Sequence, residues 1–359
     1  MRKIRVLTVD DSAFMRRVIR QMLESDPEIE VVGAARDGME GVEMALDLKP
    51  DVITMDIEMP RMNGLDATSA IMEKSPRPII MLSSLTSEGA KATFDALDRG
   101  AVDYISKNLV SSALDIMKVK DDLVAKIKAV SKVSPSIIRP RPAAEKRPAR
   151  GVSSFEAAGR QAVHRRFVSQ KIAMVAIGAS TGGPRAIQEI IPRIPVDIHS
   201  AFLVAVHMPK AFTGAFAERL NGLGELTVKE AEDGEAIRSG HVYISPGGRQ
   251  TRAVKKGAID MRIVVNDEPE SAIYRPSVDV MMTSVAETYP GRSLGVILTG
   301  MGHDGLEGMR AIKEKGGKTL VQDEKSCTVF GMPKAVIEAD LADKTAELGK
   351  IAAEIVNML

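Results

Sequence analysis

Short apolar runs alternate with helical patterns twice along this chain, and one proline- and arginine-rich stretch separates the two series. In the first series strands are expected at 4–9, 29–34, 52–56, 78–83 and 102–106. The segment after the first strand has Phe14, Val18 and Met22 on one stripe, with Met15, Ile19 and Leu23 beside it, which is the helical period. Strands alternating with helices of about a dozen residues imply a parallel, doubly wound five-stranded sheet. In that architecture a functional site lies at the carboxyl ends of the strands. From 171 onward the alternation resumes, with strands near 172–177, 201–206, 242–245, 294–298 and 319–322 and helices near 184–191, 211–221, 277–288, 305–315 and 333–339. A hairpin over 251–265, turning at Lys255-Lys256-Gly257, interrupts this second series. The second half therefore reads as another α/β domain, mostly parallel with some antiparallel additions.

Between the two series, Pro135, Pro140, Pro142 and Pro148 are interspersed with Arg139, Arg141, Arg147 and Arg150, and no apolar period is visible. Such a stretch is expected to be an extended, self-repelling linker. The division is thus a first domain over 1–130, a linker over 131–170 and a second domain over 171–359, each domain large enough for its own core. A formal charge of +1 argues against bulk electrostatic attraction to nucleic acid or membrane, and the lack of Trp, with only four Tyr, argues against aromatic platforms for single strands. The single cysteine, Cys327, excludes an internal disulfide framework. The basic start is followed by an apolar run that stops at Asp10-Asp11, and no run is long enough to span a bilayer, so a cytoplasmic protein is expected.

Asp10 and Asp11 end the first strand and Asp56 ends the third, so three carboxylates converge on one sheet edge. Left alone they repel; a hard divalent cation, typically Mg²⁺, relieves that. Ser83 at the end of the fourth strand offers a hydroxyl, and Lys107, past the fifth, offers a cation. The set suits a phosphoryl group on Asp56 whose charge Mg²⁺ and Lys107 neutralise. Taken singly, Asp11-Ser12 reads equally well as a helix N-cap and Lys107 as solvated surface; together the residues are hard to dismiss. They resemble the receiver domain of bacterial response regulators, down to the segment Asp56-Ile57-Glu58-Met59-Pro60 with Gly64 downstream. The resemblance implies Asp56 as phosphoacceptor and Asp10, Asp11 and Asp56 as Mg²⁺ ligands. Asn108 stands where that family usually has Pro.

In the second half, Met174-Val175-Ala176-Ile177 runs into Gly178-Ala179-Ser180-Thr181-Gly182-Gly183-Pro184, a strand, a glycine turn and a helix start. Ser180 at that corner is placed as a nucleophile. His207, closing the strand Phe202–Val206, emerges on the same edge as its base. Leu298-Thr299-Gly300-Met301-Gly302-His303-Asp304-Gly305 repeats the strand–turn–helix pattern. Asp304 is placed to orient His207, and backbone N–H groups around Met301 and Gly302 to form an oxyanion hole. His303 is a rival base, though neighbours in a turn tend to point apart. A nucleotide-binding reading of the serine loop is weaker, since it lacks a P-loop lysine. These segments, with His207-Met208-Pro209 and the receiver, resemble the chemotaxis protein-glutamate methylesterase (CheB-type) family. That resemblance implies a Ser180–His207–Asp304 triad acting on glutamate γ-methyl esters of methyl-accepting chemoreceptors, and deamidation of receptor glutamines. It also implies a chemotaxis histidine kinase as phosphodonor, no cofactor for the ester step, no nucleic acid partner and no membrane insertion. The rival is a response regulator whose second domain only binds a partner or nucleic acid, against which no helix-turn-helix pattern is visible.

Overall fold

The structure, a computed structural model, describes residues 2–84, 86–107, 113–133, 135–138, 171–257 and 260–359. The first unit runs β1 (Ile4–Val9), α1 (Ala13–Glu24), β2 (Ile29–Ala35), α2 (Gly38–Leu48), β3 (Val52–Asp56), α3 (Gly64–Lys74), β4 (Ile79–Ser83), α4 (Ser87–Asp98), β5 (Asp103–Ser106) and α5 (Ala113–Val130). Its five strands form one parallel sheet in the order β2-β1-β3-β4-β5. The central strands β3 and β4 are buried at every position, as a sheet covered by helices on both faces requires. The chain order reverses between β1 and β3, which opens a crevice at their carboxyl ends.

Past α5 the chain forms a single helical turn, α6 (Pro135–Ile138), where an extended linker is expected from the sequence. Pro135 suits a first helical position, and Ile138 is fully buried, its carbonyl backing onto Gly100 of the first unit. Burial of one isoleucine outweighs the extended preference of its neighbours there. The rest of the linker, 139–170, lies outside the described residues, as does Asn108.

The second unit runs β6 (Met174–Ala179), α7 (Gly183–Ile190), β7 (Ala201–Val206), α8 (Lys210–Asn221), β8 (Thr227–Glu230), β9 (His241–Ile244), β10 (Gln250–Lys255), β11 (Met261–Asn266), α9 (Val278–Thr288), β12 (Ser293–Ile297), α10 (Leu306–Glu314), β13 (Lys318–Gln322), α11 (Met332–Glu338), β14 (Lys344–Ala346) and α12 (Leu348–Met358). Seven strands make one sheet, β14-β13-β12-β6-β7-β9-β8, with every pairing parallel. Among the described residues, antiparallel pairing is found in the separate β10–β11 hairpin and in one isolated bridge between Ala236 and Arg262. The order reverses between β6 and β12, so the ends of β6, β7 and β12 face one crevice.

The two units meet along α4 and β5 on one side and α8 on the other. Phe94 of α4, fully buried, packs edge-on against Phe212 at 6.0 Å and lies 5.2 Å from Phe216, both on α8. Tyr104 of β5 stacks on Phe212 at 4.6 Å. Three of the chain's eight Phe and one of its four Tyr are thus spent on this seam. Around the aromatics, Arg219 of α8 bonds Asp95 (2.8 Å) and Asp98 of α4, and Gln188 of α7 donates to Asp98 at 3.1 Å.

Candidate active site and phosphoacceptor site

The acidic site is built at the β1/β3 crevice. Asp10 is fully buried, Asp11 is exposed, and Asp56 is buried as the last residue of β3. Oxygen atoms of the three carboxylates lie within 4.8 Å of one another. The cap of α1 is Ser12, whose side chain accepts from Met15 N, so Asp11 is not held by that duty. Asp10 Oδ1 accepts from Ser12 N at 2.9 Å, and Lys107 Nζ bridges Asp10 Oδ2 (2.9 Å) and Asp56 Oδ2 (2.6 Å). Burial, reinforced by the charge of Asp10, pushes the Asp56 carboxyl up to about 6 against the pull of Lys107. Burial would lower the Lys107 ammonium, but its bonds to Asp56 and Asp10 win and hold it above its ordinary range. An all-oxygen set this tight fits a hard divalent cation such as Mg²⁺.

Ser83 sits at the expected strand end, but its hydroxyl is turned toward α4. Its single proton faces Gly89 O and Ser84 O, each at 3.2 Å, and its oxygen accepts from Thr93 Oγ1 at 2.7 Å. The hydroxyl that the sequence placed beside Asp56 is therefore engaged on the helix that carries the seam.

The second site assembles from three strand ends. Ser180 follows β6, where Ser180 N donates to Thr299 O at 3.1 Å and Gly183 N closes the turn onto Ser180 O at 2.7 Å. Gly182 caps α7 at φ 76°, and a Cβ there would lie 2.5 Å from Thr328 Oγ1, so the corner requires glycine twice over. His207 follows β7, tied by its N–H to Ala179 O at 3.2 Å. Its Nδ1 lies 3.2 Å from Ser180 Oγ and its Nε2 lies 2.8 Å from Asp304 Oδ2. Asp304 is buried and its carboxylate is saturated: Oδ2 also accepts from Val278 N (2.7 Å), and Oδ1 accepts from the Ser277 hydroxyl (3.0 Å) and Asp279 N (3.0 Å). Burial would raise this carboxyl, but the bonds from His207, Asp279 N and Val278 N overcome it and hold it below the usual range. An ionised carboxylate only accepts, so Nε2 carries the imidazole proton and Nδ1 presents its lone pair to the Ser180 hydroxyl.

Met301 lines the same cleft, and Gly302 turns the chain there at φ 78°. His303 is exposed, and His199 is exposed as well. His241 Nδ1 engages Ser239 O, and His164 lies outside the described residues. Cys327 is buried, and burial pushes its thiol far up, which suits no nucleophile.

The cleft has walls that sequence reasoning did not supply. Tyr274 stacks flat on the His207 ring at 4.2 Å, and from the first unit Tyr104, Ile105, Asp122 and Lys126 face Ser180 and His207 across the same space. A helix N-cap signal at Ser277 was available. Its bond to Asp304, 27 residues away, is a tertiary fact with no local signature.

A serine hydroxyl, an imidazole and a carboxylate in line, roofed by a domain with a tight acidic pocket, fit the class of response regulators with a hydrolase output domain. Residues 175–355 match the CheB methylesterase family and residues 6–117 the response regulator receiver domain. The chain belongs to the CheB methylesterase family. It is 51% identical to protein-glutamate methylesterase/protein-glutamine glutaminase 1 of Geobacter sulfurreducens, across 99% of this chain and 98% of that one. It is 44% identical to the protein of the same name from Pyrococcus abyssi, across 99% and 93%. The crystal structure of the Thermotoga maritima CheB methylesterase catalytic domain is similar at 40% identity and a TM-score of 0.51, covering 53% of this chain and all of that one. Among the described residues no helix is long and apolar enough to cross a membrane.

Proposed function

We propose that this chain is a phosphorylation-activated hydrolase that removes methyl groups from glutamate γ-methyl esters of chemoreceptors and deamidates receptor glutamines, acting in the cytoplasm. The division into a receiver (1–130), a linker (131–170) and a catalytic domain (171–359) belongs to this reading. The observation that carries it is His207 bridging Ser180 Oγ and Asp304 Oδ2 at 3.2 and 2.8 Å. Ser180 attacks the γ-carbonyl carbon while His207 Nδ1 takes its proton. Backbone N–H groups at Met301 and Gly302 receive the oxyanion, and His207 passes the proton to departing methanol, or to ammonia from an amide. Water, deprotonated by the same imidazole, then releases the acyl group. Asp304 stabilises the imidazolium in both halves.

Asp56 accepts the phosphoryl group from a chemotaxis histidine kinase. Asp10, Asp11 and Asp56 would hold Mg²⁺, which would supply positive charge beside that of Lys107 to offset the phosphoryl group. The receiver wall across the cleft keeps receptor substrate from Ser180, and phosphorylation shifts the balance toward the uncovered arrangement. A non-catalytic output domain draws no support from a line of three such groups. The decisive assay is methanol release from methylated receptor membranes, with and without a small-molecule phosphodonor. Release is expected to rise with the donor and to vanish in Ser180→Ala. More than about a tenth of wild-type turnover in that variant removes Ser180 as the nucleophile.

A further inference from the structure

We infer that Asp279 is a positioning residue for the hydrolysis, holding Asp304 in line with His207 through an exchange of carboxylates between two helix N-termini. The inference rests on the Ser180–His207–Asp304 reading above.

Asp304 stands immediately before Gly305, the N-cap of α10, and Gly305 has no side chain with which to cap that helix. Nor does Asp304 cap it. Its carboxylate crosses instead to the start of α9, taking Val278 N, Asp279 N and the Ser277 hydroxyl. Asp279 makes the return crossing: its Oδ1 accepts from Gly305 N at 2.9 Å and Gly308 N at 2.7 Å, at the start of α10. Each helix thus has its unpaired N–H groups satisfied by a carboxylate from the other. Gly308 permits the approach, since a Cβ there would sit 2.5 Å from Met282 Cβ and 3.3 Å from Asp279 Cα.

The consequence is geometric. The backbone next to Asp304 is pinned through Gly305 N to Asp279, and the Asp304 carboxylate is pinned to Ser277, Val278 and Asp279. Backbone and side chain of one residue are thus both referred to the start of α9. Without the Asp279 carboxylate, the first turn of α10 is released and the Asp304 carboxylate loses its fixed bearing on Nε2.

Asp279 also contributes charge. Burial, with the charge of Asp304, pushes its carboxyl up to about 6, so near neutrality it adds a second negative group behind the Asp304–His207 pair. The other groups around that pair are Ser180 at Nδ1, Tyr274 on the ring face, and Asp122 and Lys126 from the receiver side of the cleft; His303 points to solvent. Lys126 is neutralised by Asp103 at 3.1 Å.

The test compares full-chain Asp279→Ala and Asp279→Asn in phosphodonor-driven methanol release, with thermal melting as the folding check. Asp279→Ala is expected to lower kcat about tenfold with KM unchanged within about twofold. An Asn amide oxygen still accepts from Gly305 and Gly308 N–H, so Asp279→Asn should recover to within about threefold of wild type. Because the Asn carries no charge, the acidic limb of its kcat/KM profile should move to lower pH by about half a unit. Any of four results overturns the inference: an Ala variant within twofold of wild type, a KM effect in place of the kcat effect, an Asn variant no faster than Ala, or an unmoved limb. If the Ala variant does not fold, the Asn limb alone decides. Failure of the triad is read separately, as retained activity in Ser180→Ala.

Discussion

Ser180 and His207 stand one residue past a paired register, Ala179 opposite Val206, so the sheet itself sets the distance between the hydroxyl and the imidazole. That is why both were legible in the sequence: a polar residue at the end of an apolar strand has its position fixed by the strand. The same holds for Asp10, Asp11 and Asp56. The stacking of Tyr274 on His207 and the bond from Ser277 to Asp304 were not legible, because only packing sets where that segment lies relative to them. The choice between two histidines follows from the geometry. His207→Ala should lower kcat for methanol release by about four orders of magnitude, close to the loss in Ser180→Ala, whereas exposed His303→Ala should stay within about twofold. A dead His303→Ala beside an active His207→Ala would reassign the base. At Asp56, the sign of a pH effect can be fixed. The Asp56 carboxyl titrates at about 6 when folded against 3.8 as a free side chain, so the folded state disfavours its ionised form. The penalty is present in full above pH 6 and is lost as pH falls toward 3.8. Asp56→Asn should therefore raise the melting transition of the receiver at pH 7.5 in chelator, by about 1–3 kcal/mol of stability, with the gain gone by pH 4. A lower melting temperature at pH 7.5 would show that the lost Lys107 pairing outweighs the relief.

Among the elements, α4 joins the two sites. Its first turns hold Ser83 through Gly89 O and Thr93 Oγ1, and its later turns present Phe94, Asp95 and Asp98 to α8. One Ser83 hydroxyl cannot donate to Gly89 O and to a phosphoryl group on Asp56 at once, so under the proposed function phosphorylation would compete with this contact to α4. Arg219 is the polar clasp at the far end of that helix. An exposed ion pair is worth little, and a two-carboxylate clasp about 1 kcal/mol. Arg219→Ala should accordingly raise unphosphorylated methanol release about two- to fivefold and leave the phosphorylated rate unchanged. An unchanged basal rate would mean that the aromatic seam alone holds the cover. The elements that the sequence concealed are β8 and β14, of four and three residues. Both are edge strands, too short and too polar for a period to register. By contrast α12, with Ile351, Ala352 and Ile355 buried at helical spacing, shows the helical period in its sequence.

For the whole molecule, the telling fact is that buried residues of both domains run together into one apolar cluster, through Phe94 and Tyr104 on one side and Phe212 and Phe216 on the other. Sequence patterning predicts two separate cores, because periodicity reports which residues are buried and not what they are buried against. Under the proposed function, a receiver held at high local concentration needs only a seam of modest strength to keep Ser180 covered, and a few kcal/mol supplied at Asp56 would tip the balance. Removing the receiver should then remove the block. A fragment beginning near residue 170 should demethylate receptor membranes at least as fast as the unphosphorylated full chain, and should not respond to phosphodonor. It also bares Phe212 and Phe216, fully buried in the whole chain, so its melting temperature and solubility should fall. That cost must be separated from catalysis by confirming a cooperative melt before rates are compared. Lys126 and Asp122 also line the cleft beside Ser180 from the receiver side, so the domain can act either as cover or as part of the working site. The fragment decides between them. A cooperatively folded fragment slower than the unphosphorylated whole would show that the receiver assists the chemistry it covers, and cover alone would no longer account for the regulation.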